Sequence, residues 1–272
     1  MNFLKKNETF IKPITDRLSR FLPECGVKDS LRCWFYNLLN ADFKMHVLKN
    51  GELQIDTRGV SFRVAKVPAF EVGNDLIALR GYLAEAQIRP GSVVVDAGAS
   101  GSAIATMYFS KVVGDAGKVI ALEPDDASFK NLEKNLLLNH ATNVIALKKG
   151  LWNREETLKF NAGMNQSSSV SFGAESGAKT VEIACVDLDR LLAELKIPQV
   201  DFIKMDIEGA EIEAIAGMKN ILQSGKTAFA IASYHVRDGS QTHLALEKSF
   251  LQLGYQVHTG HPIHLTTYAR KA

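Results

Sequence analysis

The chain is poor in the features that mark secreted, membrane-spanning or nucleic-acid-binding proteins. Its 272 residues include three cysteines, Cys25, Cys33 and Cys185. None stand in a C-x-x-C spacing, so neither a disulfide framework nor a cysteine zinc site is indicated, and a reducing cytoplasm is the expected compartment. No apolar run approaches the roughly 18 residues of a membrane span. The opening MNFLKKNETFIKPITDR lacks the apolar core of a signal peptide. The net charge is +2, too mild a balance to point to nucleic acid or an anionic membrane surface. Internal repeats are absent, and the nearest thing to low complexity is the polar loop NQSSSVSFGAESGAKT. The G-x-G-x-x-G of dinucleotide sites is missing as well, which counts against a nicotinamide-dependent oxidoreductase.

What is present is an ordinary globular composition, 46% hydrophobic and 23% charged. Residues 1–69 read as a helical and hairpin extension. In SLRCWFYNLLN, Leu31, Trp34, Phe35 and Leu38 share one face at helical spacing and are expected to pack inward. Whether that face meets its own core or a second copy is open, so a homodimer is one reading. GELQIDTRGVSFRVAK alternates about an Arg-Gly turn and predicts a hairpin. NDLIALRGYLAEAQIRPG predicts a helix capped by Asn74 or Asp75 and stopped by Pro90-Gly91.

Residues 70–272 are expected to form the main domain, with a regular pattern from Ser92 onward. The apolar runs SVVVDAG, KVIALEP, NVIALKKGL, VDFIKMDI and TAFAIASYH alternate with helical stretches. Among these, AEIEAIAGMKNILQSG reads as one amphipathic helix ending at the C-cap Gly225. Alternation of this kind predicts an α/β, doubly wound, mostly parallel sheet covered on both faces. The closing strands YQVHTG and HLTTYARK have no helix between them and must run antiparallel. Such a sheet binds its ligand at the carboxyl ends of its strands.

Four polar segments fall at those ends. Asp96-Ala97-Gly98-Ala99-Ser100-Gly101-Ser102 links a strand to a helix, with Gly98 and Gly101 allowing a tight turn and close approach of backbone to a ligand. Glu123, followed by Pro124, ends the next strand, where a carboxylate can accept both ribose hydroxyls of an adenosine. KMDIEGAE places Asp206, Glu208 and Glu211 near the cleft mouth, beside Lys204. Asp206 ends its strand and is the stronger functional candidate, since acidic residues such as Glu208 and Glu211 stabilise a helix N-terminus in any case. SYHVRDG brings Tyr234, His235, Arg237 and Asp238 to the next strand end, with His235 a candidate general base. The spacing of His258, His261 and His264 crosses a Gly and a Pro, so no single face collects them and no metal site is expected.

Together these segments resemble the FkbM family of S-adenosylmethionine-dependent methyltransferases, from about Phe70 to the C-terminus. The family pattern of a D-x-G-A-N-x-G turn, an E-P strand end, an F..L..N...N helix, a tLD.l segment, a K-x-D-x-E-G-x-E strand end and a Tyr-His appears here as DAGASGS, LEP, FKNLEKNLLLN, CVDLDRLL, KMDIEGAE and SYH. The KMDIEGAE match is the specific one. In the opening loop the usual asparagine is Ser100, and the last glycine is Ser102 with a glycine one place earlier at Gly101.

The resemblance implies a class I methyltransferase fold, Rossmann-like, with strand order 3-2-1-4-5-7-6 and strand 7 antiparallel. It implies that Asp96, Gly98, Ser100, Gly101 and Ser102 turn around the methionine part of S-adenosylmethionine. Glu123 and Pro124 would meet the ribose, while Leu151 and Trp152 would flank the adenine. Asp206 and Glu211 would face the methyl-transfer cleft, Asp206 also meeting the cofactor, and Asp206 or His235 is the candidate to take the acceptor's proton. The expected reaction is O-methylation of a hydroxyl on a small molecule or glycan, leaving S-adenosylhomocysteine. N-methylation with the same cofactor, and a binding protein without catalysis, are the alternatives.

Overall fold

The structure, a computed structural model, describes residues 26–65, 69–162, 179–237, 239–261 and 264–271. The opening segment, Cys25, most of the polar loop at 165–180, and Asp238 lie outside them. Helix α1 (Gly26–Leu39) leads into an antiparallel sheet of β1 (Phe43–Val47), β2 (Leu53–Thr57) and β3 (Val60–Val64). The expected hairpin is β2–β3, and Arg58 and Gly59 both take left-handed conformations, φ 47° and 80°, as a two-residue hairpin loop requires. Strand β1 was not legible in the sequence. Helix α2 (Ala69–Tyr82) then returns the chain to the main sheet.

The apolar runs build that sheet. In chain order come β4 (Val93–Ala97), α3 (Ile104–Val113), β5 (Lys118–Leu122), α4 (Asp126–Leu138) and β6 (Val144–Leu147). The short β7 (Gly150–Leu151), β8 (Glu156–Ala162) and β9 (Lys179–Val186) leave it and pair as a separate three-stranded sheet. Then follow α5 (Leu188–Glu194), β10 (Phe202–Met205), α6 (Glu211–Ala216), α7 (Lys219–Ser224) and β11 (Ala228–Ala232). A small hairpin of β12 (Val236–Arg237) and β13 (Ser240–Gln241), helix α8 (His243–Gln252), β14 (Gln256–Gly260) and β15 (Thr266–Arg270) complete the chain. The seven strands lie side by side as β14-β15-β11-β10-β4-β5-β6. Strand β15 runs antiparallel to both neighbours, and the pairs among β11, β10, β4, β5 and β6 are parallel. Val94, Val95, Ile120, Ile203 and Ile231 have no exposed surface, as doubly covered strands require.

The N-terminal sheet is not a separate body. Phe43, Met45, Ile55, Phe62 and Val64 share one buried cluster with Val94, Ile104, Met107 and Phe109. Two asparagines of α4 fasten it. Asn135, fully buried, accepts from the Ala65 N–H at 2.6 Å, and Asn139 both accepts from the Arg63 N–H and donates to its carbonyl.

Four local expectations are corrected. Helix α1 buries Arg32 and Cys33 and leaves Leu31, Trp34 and Leu38 exposed, with Phe35 half-buried. Asn37, bonded to both backbone groups of Met45, sets that rotation. Helix α2 begins at Ala69 rather than at Asn74 or Asp75, because Asp29 of α1 accepts from the Ala69 N–H. It also ends at Tyr82, well before Pro90, where Tyr268 Oη bonds the Gly81 carbonyl at 2.6 Å. The helix expected over 210–225 breaks into α6 and α7 at Gly217, where the Trp152 carbonyl approaches so closely that a Cβ would lie 2.5 Å from it. Asp189 starts the second piece by accepting from Asn220 and Ile221 N–H.

Candidate functional site

The loop after β4 lies at the carboxyl end of the sheet and rests directly on β10. Asp206 N–H bonds the Ala97 carbonyl at 3.0 Å. Gly98, at φ 76°, faces the Asp206 carbonyl so closely that a Cβ would stand 1.8 Å from its oxygen. Only glycine meets both demands. Asp96 beneath is fully buried, paired with Lys204 Nζ at 2.9 Å and accepting from Thr106 Oγ1 at 2.5 Å. Lys204 in turn bonds the carbonyls of Ala97 and Gly98. Burial opposes its charge, but Asp96 and Asp206 more than offset that and hold its pKa above the usual lysine value. Asp96 therefore has the geometry of an anchor for the turn rather than of a free ligand atom.

Ser100 and Ala103 both adopt left-handed conformations, φ 58° and 55°. Asparagine enters that region more readily than serine, which gives the family's usual asparagine at position 100 a backbone reason. Here the serines are held by a residue the sequence offered only as a helix cap. Asp75 of α2 accepts from both Ser100 Oγ, at 3.2 Å, and Ser102 Oγ. Burial raises the Asp75 pKa, and the two hydroxyls only partly counter it. Gly101 sits loosely, with the nearest atoms to a built Cβ at 3.6 Å. The buried Asn135 closes the other side by donating to the carbonyls of Gly101 and Ser102. Ala103, the N-cap of helix α3, offers no side-chain bond of its own, and Ser102 Oγ accepts from the Ile104 N–H at 3.4 Å.

Glu123 is 7% exposed and accepts from the backbone of Ser100 and Asp125, each at 2.9 Å. It is not a solvated strand-end glutamate. Burial raises its pKa against the pull of those two N–H groups. Pro124 beside it is half-buried. Leu151 packs in the core against Val186 and its neighbours, so only its backbone can meet a ligand. Trp152 packs with Cys185 and Ala210, under the loop that follows β10.

Asp206 is the hub of the other half of the site. Tyr82 Oη donates to its Oδ2 at 2.7 Å and Tyr234 Oη to its Oδ1 at 3.2 Å. His264 Nε2 lies 3.6 Å from Oδ2, and His235 Nε2 lies 3.5 Å from Oδ1. Burial works against its charge, but His264, Lys204 and His235 outweigh it and hold the carboxyl well below the usual range. Burial and the Asp206 charge push both tyrosines up, so they stay hydroxyl donors. His235 is 6% exposed, with Nδ1 3.1 Å from Glu211 Oε1 and Nε2 3.6 Å from Glu208 Oε2. Glu211, fully buried, accepts through Oε1 from the N–H groups of Ile207 and Gly209. Burial and the Asp206 charge push Glu208 up to about 7. Arg237 turns away to Glu213 and the Gly209 carbonyl.

Thus Asp206, Glu211 and His235 converge, and Glu123 and the glycine turn form a second group on the other side of the β4 loop. Sequence reasoning missed Tyr82 and His264, which carry no local signal and come from α2 and the turn before β15. Of the three C-terminal histidines, His258 pairs with Glu85 at 2.9 Å while His264 enters the cleft. Asn135 and Asn139 did leave a signal, as the asparagines of the F..L..N...N pattern.

A family model described as the methyltransferase FkbM domain matches residues 96–257, from the anchor aspartate through β14. The hexuronic acid methyltransferase AglP of Haloferax volcanii is 29% identical over 117 residues, which cover 43% of this chain and 47% of that protein. A crystal structure of methyltransferase FkbM from Methylobacillus flagellatus KT aligns with a TM-score of 0.53 at 22% identity, over 71% of this chain and 47% of that one. The chain thus spans a little under half the length of each. The likeness in structure shows a class I methyltransferase-like α/β fold around a mixed central sheet. With the model matching more than half the chain and taking in Asp96, Glu123, Asp206, Glu211 and His235, this protein belongs to the family of FkbM methyltransferase domains, whose methyl donor is S-adenosylmethionine.

Proposed function

We propose that this chain methylates a hydroxyl group of a small molecule or glycan. The observation that carries the reading is the convergence of Asp206, His235 and Glu211 at the strand end against which the Gly98 turn is packed. The sheet supports it: numbered in chain order, the seven strands follow 3-2-1-4-5-7-6 with the seventh antiparallel. S-adenosylmethionine, when bound, supplies an electrophilic methyl on a sulfonium. The positive end of α3, beside the turn of Gly98, Ser100, Gly101 and Ser102, suits its methionine carboxylate, and Glu123 beside Pro124 suits its ribose hydroxyls. The backbone at Leu151 and Trp152 is assigned to the adenine.

Asp206, locked by two tyrosine hydroxyls, orients the acceptor hydroxyl. His235 and Glu211 complete the group toward which its proton leaves. In the reaction an oxygen–carbon bond forms, the carbon–sulfur bond breaks with its electron pair on sulfur, and the hydroxyl proton is lost. Most of the rate comes from alignment and exclusion of water. The N-terminal extension, described over residues 26–65, is assigned to covering the acceptor, in a cytoplasmic enzyme. The carboxylates of Asp206, Glu208 and Glu211 would also suit an amine, which keeps N-methylation as the second reading. Incubation with methyl-labelled S-adenosylmethionine and a panel of sugars and hydroxylated metabolites, read by mass spectrometry, tests this. An O-methyl product is expected. A label on nitrogen, or no S-adenosylhomocysteine with any acceptor, refutes it.

A further inference from the structure

We propose that the cleft holds a divalent first-row transition-metal ion between Asp206, His235 and Glu211, with Glu208 as a fourth, mobile ligand. Each of the first three offers one ligand atom, and these atoms lie within 4.8 Å of one another. His235 Nε2 stands 3.5 Å from Asp206 Oδ1 and 3.6 Å from Glu208 Oε2. Ligand atoms at about 2.1 Å from a common tetrahedral ion are spaced by about 3.4 Å, so these gaps suit coordination better than hydrogen bonding.

Two buried groups point the same way. His235 is 6% exposed; its Nδ1 stands 3.1 Å from Glu211 Oε1, while its Nε2 has no hydrogen-bond partner and faces Asp206 and Glu208. Glu211 is fully buried, and while its Oε1 takes two backbone N–H groups, its Oε2 has none. Buried polar groups are rarely left this way unless an ion or ligand completes them. Lys204 is committed to Asp96 and two loop carbonyls and Arg237 to Glu213, so the side chains that face Asp206 with a positive charge to offer are His235 and His264. One imidazole with carboxylates suits manganese, iron or zinc better than calcium. Glu208, whose side chain is 53% exposed, stands at the open side where an acceptor oxygen could enter the coordination sphere. There the ion would lower the pKa of the bound hydroxyl, whose proton would pass to water at that open side, so that the oxygen attacks the sulfonium methyl without a strong side-chain base.

This deepens the methyl-transfer reading of the same cleft and rests on it, with His235 and Glu211 holding the ion instead of taking the acceptor's proton, but its test does not require turnover. Mn(II) is titrated into the full chain and followed by electron paramagnetic resonance, with Co(II) absorption as a second probe of nitrogen ligation. One site per chain is expected. His235→Ala and Asp206→Asn should weaken it by about tenfold or more, as loss of a metal-site partner does, while Glu85→Gln should not. Glu208→Gln, on a largely exposed side chain, covers the case in which the buried variants do not fold, and it too should weaken binding. No stoichiometric uptake at millimolar Mn(II), or uptake indifferent to these substitutions, overturns the proposal. Metal uptake without any methylated product would instead count against the reaction and leave the ion site standing.

Discussion

Replacing Gly98 by alanine should be far more damaging than replacing Gly101, although both glycines belong to the same short turn. At Gly98 a Cβ would lie 1.8 Å from the Asp206 carbonyl oxygen and 2.9 Å from its carbon. That contact is with backbone, so no side-chain rotation relieves it. The turn would have to lift off β10. Such overpacking typically costs about 1–3 kcal/mol, and the left-handed φ of 76° adds roughly 1–2 kcal/mol for any residue with a Cβ. The sum, about 2–5 kcal/mol, compares with no more than about 1 kcal/mol for Gly101→Ala. There the nearest atoms to a Cβ are at 3.6 Å and φ is not left-handed. Urea denaturation of the two variants measures the difference. Lifting the turn also separates it from Asp206, so Gly98→Ala should lose S-adenosylmethionine binding in calorimetry under conditions where it remains folded. Equal destabilisation of the two variants, or unchanged cofactor affinity in a folded Gly98→Ala, would refute the close-packed turn.

Glu123→Gln should lower S-adenosylmethionine affinity by about 10- to 100-fold, the worth of a hydrogen bond to a charged group, read by isothermal calorimetry. Affinity equal to wild type would remove Glu123 from the site. The half-buried Asp75 carboxyl has a folded pKa above its unfolded value, so its ionisation weakens the fold. That penalty is fully present above the raised pKa and disappears as pH falls toward the unfolded value, about 4. Thermal melts across this mildly acidic window should show a stability gain on acidification that Asp75→Asn lacks. An identical pH profile in the variant would contradict it. Burial pushes the thiols of Cys33 and Cys185 up to about 12 and about 11, so neither should react with iodoacetamide at pH 8 in the folded protein. Peptide mapping checks this, and rapid labelling of either would show that its helix or strand opens.

The sequence by itself determined the alternation of strands and helices, the reversed closing strand and the polar residues at the strand ends. These follow from short-range physics: apolar runs that must be covered on both faces, glycines that allow turns, and carboxylates placed by strand length. Glu123 and Asp206 were legible because each ends such a run. Tertiary structure alone decided what the local patterns left open. The apolar stripe of α1 was readable, but Asn37 binding to Met45 turned Leu31, Trp34 and Leu38 outward. The helix expected across Gly217 broke because a distant carbonyl from Trp152 needed the space. Asp75 looked like a cap and became the support of the turn after β4, because Asp29 had already taken the start of α2. The site shows the same division most sharply. Tyr82 reaches Asp206 across 124 positions, and His264 comes from the far end of the chain. Contacts of that range depend on how whole layers pack, and no periodicity in a single segment records them.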